Sequence, residues 1–192
     1  RYFSSIKIDF NSETTTYIDQ INEKWKVNLI DTGLKAETGS RLSRIKNHLK
    51  PNQPFFFTYG DGVANINLED LYKFHLQHGK IATLSSVIPP SRFGAINISK
   101  NNIINKFSEK PEQDNYRING GFFVLSPRIF DYVSDEEDCI FERLPLEKLA
   151  SEGELVAYNH DGFWQCMDTV RDCDQLNDKW KNNQAIWKNW HD

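Results

Sequence analysis

Hydrophobic positions along this chain come in short runs whose period switches between two and three-to-four residues. Residues 25–30 (WKVNLI) alternate and end at Asp31-Thr32-Gly33, which predicts a strand and a turn. Leu42, Ile45 and Leu49 then fall at helical spacing, with Ser40 as the expected N-cap and Pro51 closing the helix. Residues 54–59 (PFFFTY) are continuously apolar, the pattern of a strand buried on both faces of a sheet. Leu68, Leu71, Tyr72 and His75 mark a second helix, stopped by Gly79. Residues 81–88 (IATLSSVI) predict another buried strand, closed by Pro89-Pro90. Residues 93–98 and 103–107 are shorter strand candidates, and 120–125 (GGFFVL) a further strand. Pro127 is expected to start a helix through Phe130 and Val133. Residues 144–149 read as helix, 154–158 as strand, and the tail from Asp172 through Leu176, Trp180 and Trp187 as helix.

Strands alternating with helices predict an α/β fold, with small β hairpins inserted after Ile88. No repeat or low-complexity linker divides residues 1–192, so a single domain is expected. Ligands of such sheets bind at the carboxyl ends of the strands, where Gly60-Asp61-Gly62 falls.

The composition narrows the function. Hydrophobic residues make up 39% and charged residues 26%, an ordinary globular balance. The net charge of −4 disfavours general nucleic-acid binding. No apolar run approaches the roughly 18 residues that cross a bilayer. Cys139, Cys166 and Cys173 show no metal-ligand spacing and no disulfide framework, which fits a reducing cytoplasm. The chain opens at Arg1 on a polar stretch with no signal peptide and no methionine, so a fragment is expected.

The candidate chemistry is modest residue by residue. Asp61 between two glycines has the composition of a hairpin turn, yet a helix follows it. A lone carboxylate at a strand end also suits a Mg²⁺–phosphate site. Asp168-Thr169 precedes the helical tail, and spacing alone favours Asp168 as its N-cap over a metal ligand. Lys110, before Pro111, is either a solvated lysine or a point charge for a sugar phosphate. Asn119-Gly120-Gly121 fits a tight turn or a close approach of backbone to sugar. Thr38-Gly39-Ser40-Arg41 offers either a helix cap or backbone N–H groups and a guanidinium for an anion. The five histidines form no nucleophile pairing.

In order, six segments resemble one family. They are TGSR (38–41), TYGDGV (58–63), PSRFGA (90–95), FSEKP (107–111), INGGFFV (118–124), and GFWQ with MDT (162–169). Together they are similar to the glucose-1-phosphate cytidylyltransferases (CDP-glucose pyrophosphorylases) of the sugar-nucleotide pyrophosphorylases, over nearly the whole chain. The resemblance implies a Rossmann-like three-layer α/β/α nucleotidyltransferase fold with a mixed, mostly parallel sheet. It also implies a Mg²⁺-dependent enzyme joining CTP and α-D-glucose 1-phosphate into CDP-glucose and pyrophosphate. By the family's pattern Asp61, Lys110 and Asp168 are catalytic, and Asp61 and Asp168 hold Mg²⁺. Lys110 takes the glucose phosphate; Glu109, Asn119 and the backbone at Gly94 hold the sugar; Arg41 and Gly60 contact the nucleotide; Thr38 also binds substrate.

The resemblance further implies a cytoplasmic homo-oligomer without nucleic-acid or membrane partners. Its product would feed nucleotide-sugar biosynthesis for surface polysaccharide such as O-antigen.

Two local departures stand out: Ala36 replaces a small hydroxyl residue, and Ser40 a glycine. The family's opening Gly-x-Gly-Thr-Arg loop and Lys-Pro-Lys segment do not occur here. The expectation is that about two βα units are missing from the front, and that the fragment alone is inactive. Two other readings remain: a sibling enzyme using UTP or dTTP, and a non-catalytic sugar-phosphate or nucleotide-binding module.

Overall fold

A computed structural model describes residues 6–17, 26–90, 95–108 and 116–189. The chain forms two compact units, Arg1–Asp31 and Thr32–Asp192. In the first, strands β1 (Ile6–Asp9) and β2 (Thr14–Tyr17) pair antiparallel, with Asp9 opposite Thr14. The Asp9 carboxylate accepts the N–H groups of Asn11 (2.9 Å) and Ser12 (3.3 Å) across the turn. Those bonds hold its pKa below the usual carboxylate value. This hairpin escaped the hydrophobic pattern because β2 is built from threonines. The strand expected at 25–30 does not form in the described part: residues 26–30 are irregular. Val27 and Leu29 are 70% and 95% exposed. Alternation specifies a strand only where one face is covered.

The second unit is built on four strands: β3 (Phe55–Thr58), β5 (Ala82–Val87), β8 (Ile118–Leu125) and β9 (Leu155–His160). Their order across the sheet is β3-β8-β5-β9. β5 and β9 are parallel, and β8 runs antiparallel to both β3 and β5. Three strands therefore share one direction in the mixed sheet that was expected, although two of its three pairings are antiparallel. Between β3 and β5 lie β4 (Gly62–Ala64) and helix α2 (Leu68–His78). β6 (Ala95–Ile98) and β7 (Ile104–Ser108) form the hairpin inserted between β5 and β8.

The two faces of β8 define the layers. Phe123 and Leu125 point into one core, with Leu42 of α1 (Thr38–Arg44) and Leu146 and Leu149 of α3 (Leu144–Ser151). Val124 points the other way and packs with Ile66 and Leu71 of the α2 side. Helices cover both faces, giving α/β/α. Phe141 sits fully buried in the first core, its ring 5.3 Å from that of Phe57 and 5.5 Å from that of Phe123.

Several sequence expectations are corrected here. β3 is not buried on both faces: its residues alternate between half-buried and exposed, and Phe56 is 48% exposed and covered only in part by Tyr72. Ser40 is no N-cap. It is buried inside α1, where its hydroxyl donates to the Glu136 carbonyl, and Glu37 precedes the helix. The helix at Pro127 is a short 3-10 helix, Pro127–Asp131, capped by Ser126. The tail helix α4 (Val170–Lys181) stops before Trp187, whose ring instead stacks on Phe163 at 5.2 Å.

Gly39 is required by packing. A Cβ there would stand 2.6 Å from Cys139 Sγ and 2.8 Å from the Cys139 carbonyl oxygen, and the backbone cannot swing away. Gly39→Ala is expected to cost about 1–3 kcal/mol of stability, as overpacking does. A thermal midpoint lowered by several degrees in calorimetry would show it; an unchanged midpoint would mean that the 136–141 segment yields.

Candidate functional site

The carboxyl ends of β3, β5 and β9 and the start of β8 meet at one edge of the sheet. The chain leaves β3 through Tyr59, Gly60 and Asp61 and enters β4, which pairs with β10 (Trp164–Cys166) rather than with β3. This rules out the hairpin-turn reading of Asp61. The three rungs of the β4–β10 ladder place Gly62 opposite Cys166, and the Met167 N–H donates to the Asp61 carbonyl at 2.9 Å. The ladder thus joins the two segments that carry Asp61 and Asp168, distant in sequence, and both residues are exposed.

Asp168 does not cap α4. Thr169 does, in a capping box with Asp172: the Asp172 N–H donates to the Thr169 hydroxyl, and the Thr169 N–H donates back to the Asp172 carboxylate. The Asp168 carboxylate accepts from the Cys166 thiol at 3.1 Å. At Asp61 it is the backbone carbonyl that joins the two segments, and Gly60 beside it is exposed. Gly60 adds to this: a Cβ there would meet nothing within 4 Å, so no internal contact demands glycine.

Two hard carboxylate oxygens donors of this kind suit Mg²⁺, which takes one or two carboxylates and completes its shell with phosphates and water. Among the described residues no group of three or more His, Cys, Asp and Glu side chains is poised to hold a metal.

Asn119 lies within β8, not in the tight turn that its neighbours suggested. Gly121 carries φ +77, and a Cβ on it would come 2.7 Å from the Tyr59 ring. The Gly121 N–H is taken by Asn119 Oδ1 at 2.8 Å, and Asn119 Nδ2 donates to the Tyr59 hydroxyl at 3.1 Å. Tyr59 donates to Glu142 Oε1 (2.5 Å), and Thr38 to Glu142 Oε2 (2.7 Å). Burial raises the Tyr59 pKa well above that of a free phenol, and the Glu142 bond raises it further. Trp164 Nε1 donates to the Gly120 carbonyl at 2.7 Å, tying β10 to β8.

The remaining sequence candidates divide. Thr38 turns its hydroxyl inward, donating to Glu142 and accepting from the Phe141 N–H at 2.9 Å. The N–H groups of Gly39 and Ser40 both donate to the Cys139 carbonyl (2.8 and 3.1 Å). This corrects the expectation that the start of α1 offers them to an anion. Arg41 is exposed, and its guanidinium donates to the Thr32 hydroxyl (2.8 Å) and the Leu34 carbonyl (3.3 Å). Gly94, Glu109 and Lys110 lie outside the described residues. Sequence reasoning missed Glu142, whose position in FERLPLE reads only as a charge before a helix.

The Nucleotidyl transferase family profile matches residues 9–184. This chain belongs to that family. Its members include relatives of known name. A glucose-1-phosphate cytidylyltransferase of Salmonella typhi is 46% identical over 168 residues, covering 88% of this chain and 65% of that protein. A probable glucose-1-phosphate cytidylyltransferase of Bacillus subtilis is 37% identical, covering 97% and 72%. A mannose-1-phosphate guanyltransferase of Saccharomyces cerevisiae is 31% identical over 64% of this chain and 35% of its own length. The chain thus spans 65% of the Salmonella relative.

Solved structures support the nucleotidyl transferase fold. HddC from Yersinia pseudotuberculosis matches at TM-score 0.55 and 22% identity, over 75% of this chain and 62% of its own. A putative glucose-1-phosphate thymidylyltransferase from Bacillus anthracis, in complex with a sucrose, matches at TM-score 0.55 and 17% identity, over 82% and 64%. No helix among the described residues is long and apolar enough to cross a membrane.

Proposed function

We propose that the protein carrying this chain transfers the cytidylyl group of CTP to α-D-glucose 1-phosphate, giving CDP-glucose and pyrophosphate. The observation that supports the reading is the β4–β10 ladder, which joins the segments carrying Asp61 and Asp168 near the sheet edge where β8 begins. The names of the relatives supply the nucleotide and the sugar.

In this reaction an oxygen of the glucose phosphate bonds to the α-phosphorus of CTP. The bond from that phosphorus to the α,β-bridging oxygen breaks, and pyrophosphate carries the electron pair away. Such transfers need alignment and charge neutralisation more than covalent help from the protein. Asp61 and Asp168 are the residues that would hold Mg²⁺, which when bound neutralises charge developing on the phosphates. Lys110 offers its ammonium to the glucose phosphate; Glu109, Asn119 and the Gly94 backbone hold the sugar. Arg41 and the open backbone at Gly60 serve the nucleotide, and Thr38 supports that side through its inward hydroxyl. On the same reading the enzyme works in the cytoplasm as a homo-oligomer.

The test uses protein expressed from the complete coding sequence, given glucose 1-phosphate, Mg²⁺ and each nucleoside triphosphate in turn, with pyrophosphate followed. CTP is expected to turn over fastest. Faster turnover of UTP or dTTP would reassign the base, and nucleotide binding with no pyrophosphate from any of them would leave a binding module.

A further inference from the structure

We propose that Glu142 is a positioning residue for the sugar, acting through Tyr59 on the side-chain amide of Asn119. The inference rests on the functional reading above, in which Asn119 faces the sugar.

The argument follows hydrogen-bond direction. An ionised carboxylate only accepts. Glu142 Oε1 therefore takes the Tyr59 proton, and Oε2 takes the Thr38 proton. Having spent its one proton, the Tyr59 oxygen can only accept from Asn119, so Nδ2 must face it. The other side of the amide agrees, because the Gly121 N–H requires Oδ1. Both ends of the chain thus fix one of the two amide orientations, and the alternative would set donor against donor at Gly121. Among the described residues one Nδ2 hydrogen of Asn119 is left, and that orientation presents it as a donor. A sugar hydroxyl arriving there is read as an acceptor.

Packing holds the carboxylate in place. Phe141, next in the chain, is fully buried, and its N–H donates to the Thr38 hydroxyl that Glu142 binds. Neither Glu142 nor Tyr59 needs to touch the substrate to act.

Two near-isosteric variants test this in the enzyme from the complete coding sequence. Tyr59→Phe removes one oxygen and keeps the ring that packs on Phe57 and Phe123. Glu142→Gln keeps the shape but introduces a donor. Each is expected to raise the KM for glucose 1-phosphate about tenfold, the loss of roughly one hydrogen bond, and Tyr59→Phe, which leaves the Thr38 bond intact, to keep kcat and the KM for CTP within about twofold. In an Asn119→Ala background, which alone raises the sugar KM, neither should raise it further. Three outcomes would overturn the assignment: an unchanged sugar KM in Tyr59→Phe, equal changes in both of its KM values, or effects that multiply with Asn119→Ala. If the unaltered enzyme forms no sugar nucleotide from glucose 1-phosphate, the functional reading falls, and this inference with it.

Discussion

Replacing Asp61 or Asp168 by asparagine is expected to lower kcat by about 10²-fold or more, through lost stabilisation of charge at the reacting phosphates. Each variant should also need more Mg²⁺ for half its maximal rate. The fold should hold, since asparagine at 168 keeps an oxygen that can accept from the Cys166 thiol. At position 61 the structural contact is the backbone carbonyl that accepts the Met167 N–H, and asparagine keeps it. Helix α4 is capped by Thr169, so position 168 carries no capping role to lose. Rate assays across a Mg²⁺ titration, with circular dichroism confirming structure, check this. Near-normal rates with unchanged Mg²⁺ dependence would make that aspartate an ordinary surface carboxylate.

Stability is expected to fall as the pH drops from about 6.5 toward 4, because of a histidine pair against β5. The Lys80 N–H donates to His78 Nδ1 (3.0 Å), so the His78 proton sits on Nε2 and points at the Thr83 hydroxyl (2.8 Å). Thr83 in turn donates to His75 Nδ1 (2.8 Å). The chain is complete only while both rings are neutral. His75 is 2% exposed, and burial lowers its pKa from 6.5 to about 4, helped by repulsion from His78. His78 is lowered too, first by burial and then by Lys80, with Glu154 opposing.

A folded-state pKa below the unfolded one means that the unfolded chain binds the extra proton. The full stability is therefore present above about pH 6.5 and drains away down to about pH 4. The ceiling from His75 is about 3 kcal/mol, from its shift at 1.36 kcal/mol per unit. Urea unfolding at pH 7.5, 6 and 5 measures the slope. His75→Gln, neutral at every pH, should flatten it; equal slopes in both proteins would contradict the account.

Local patterns carried the main sheet well and failed where a partner decided the outcome. Residues 54–59 form a strand as read, but their apolar run does not say which neighbours lie on each side. Phe56 shows the result. Asn119-Gly120-Gly121 has a turn's composition, yet a left-handed glycine inside a strand looks the same in sequence. Asp61 and Asp168 were legible as candidates, and the resemblance paired them. The pairing of their two segments is made by three backbone rungs that leave no signature in either segment. Glu142 stayed invisible because its partners, Tyr59 and Thr38, lie far away in the chain and a single glutamate has no period.

The β4–β10 ribbon is short, and short pairings open easily. Its amides should exchange with deuterium well before those of β5 and β8, whose ladder is longer and buried. Anything that bridges Asp61 and Asp168 works against that opening, so part of its binding free energy goes into closing the ribbon. By reciprocity, tightening the ribbon elsewhere strengthens the bridge. The Trp164 indole, clamped to the Gly120 carbonyl, lies where that exchange between local order and affinity is set.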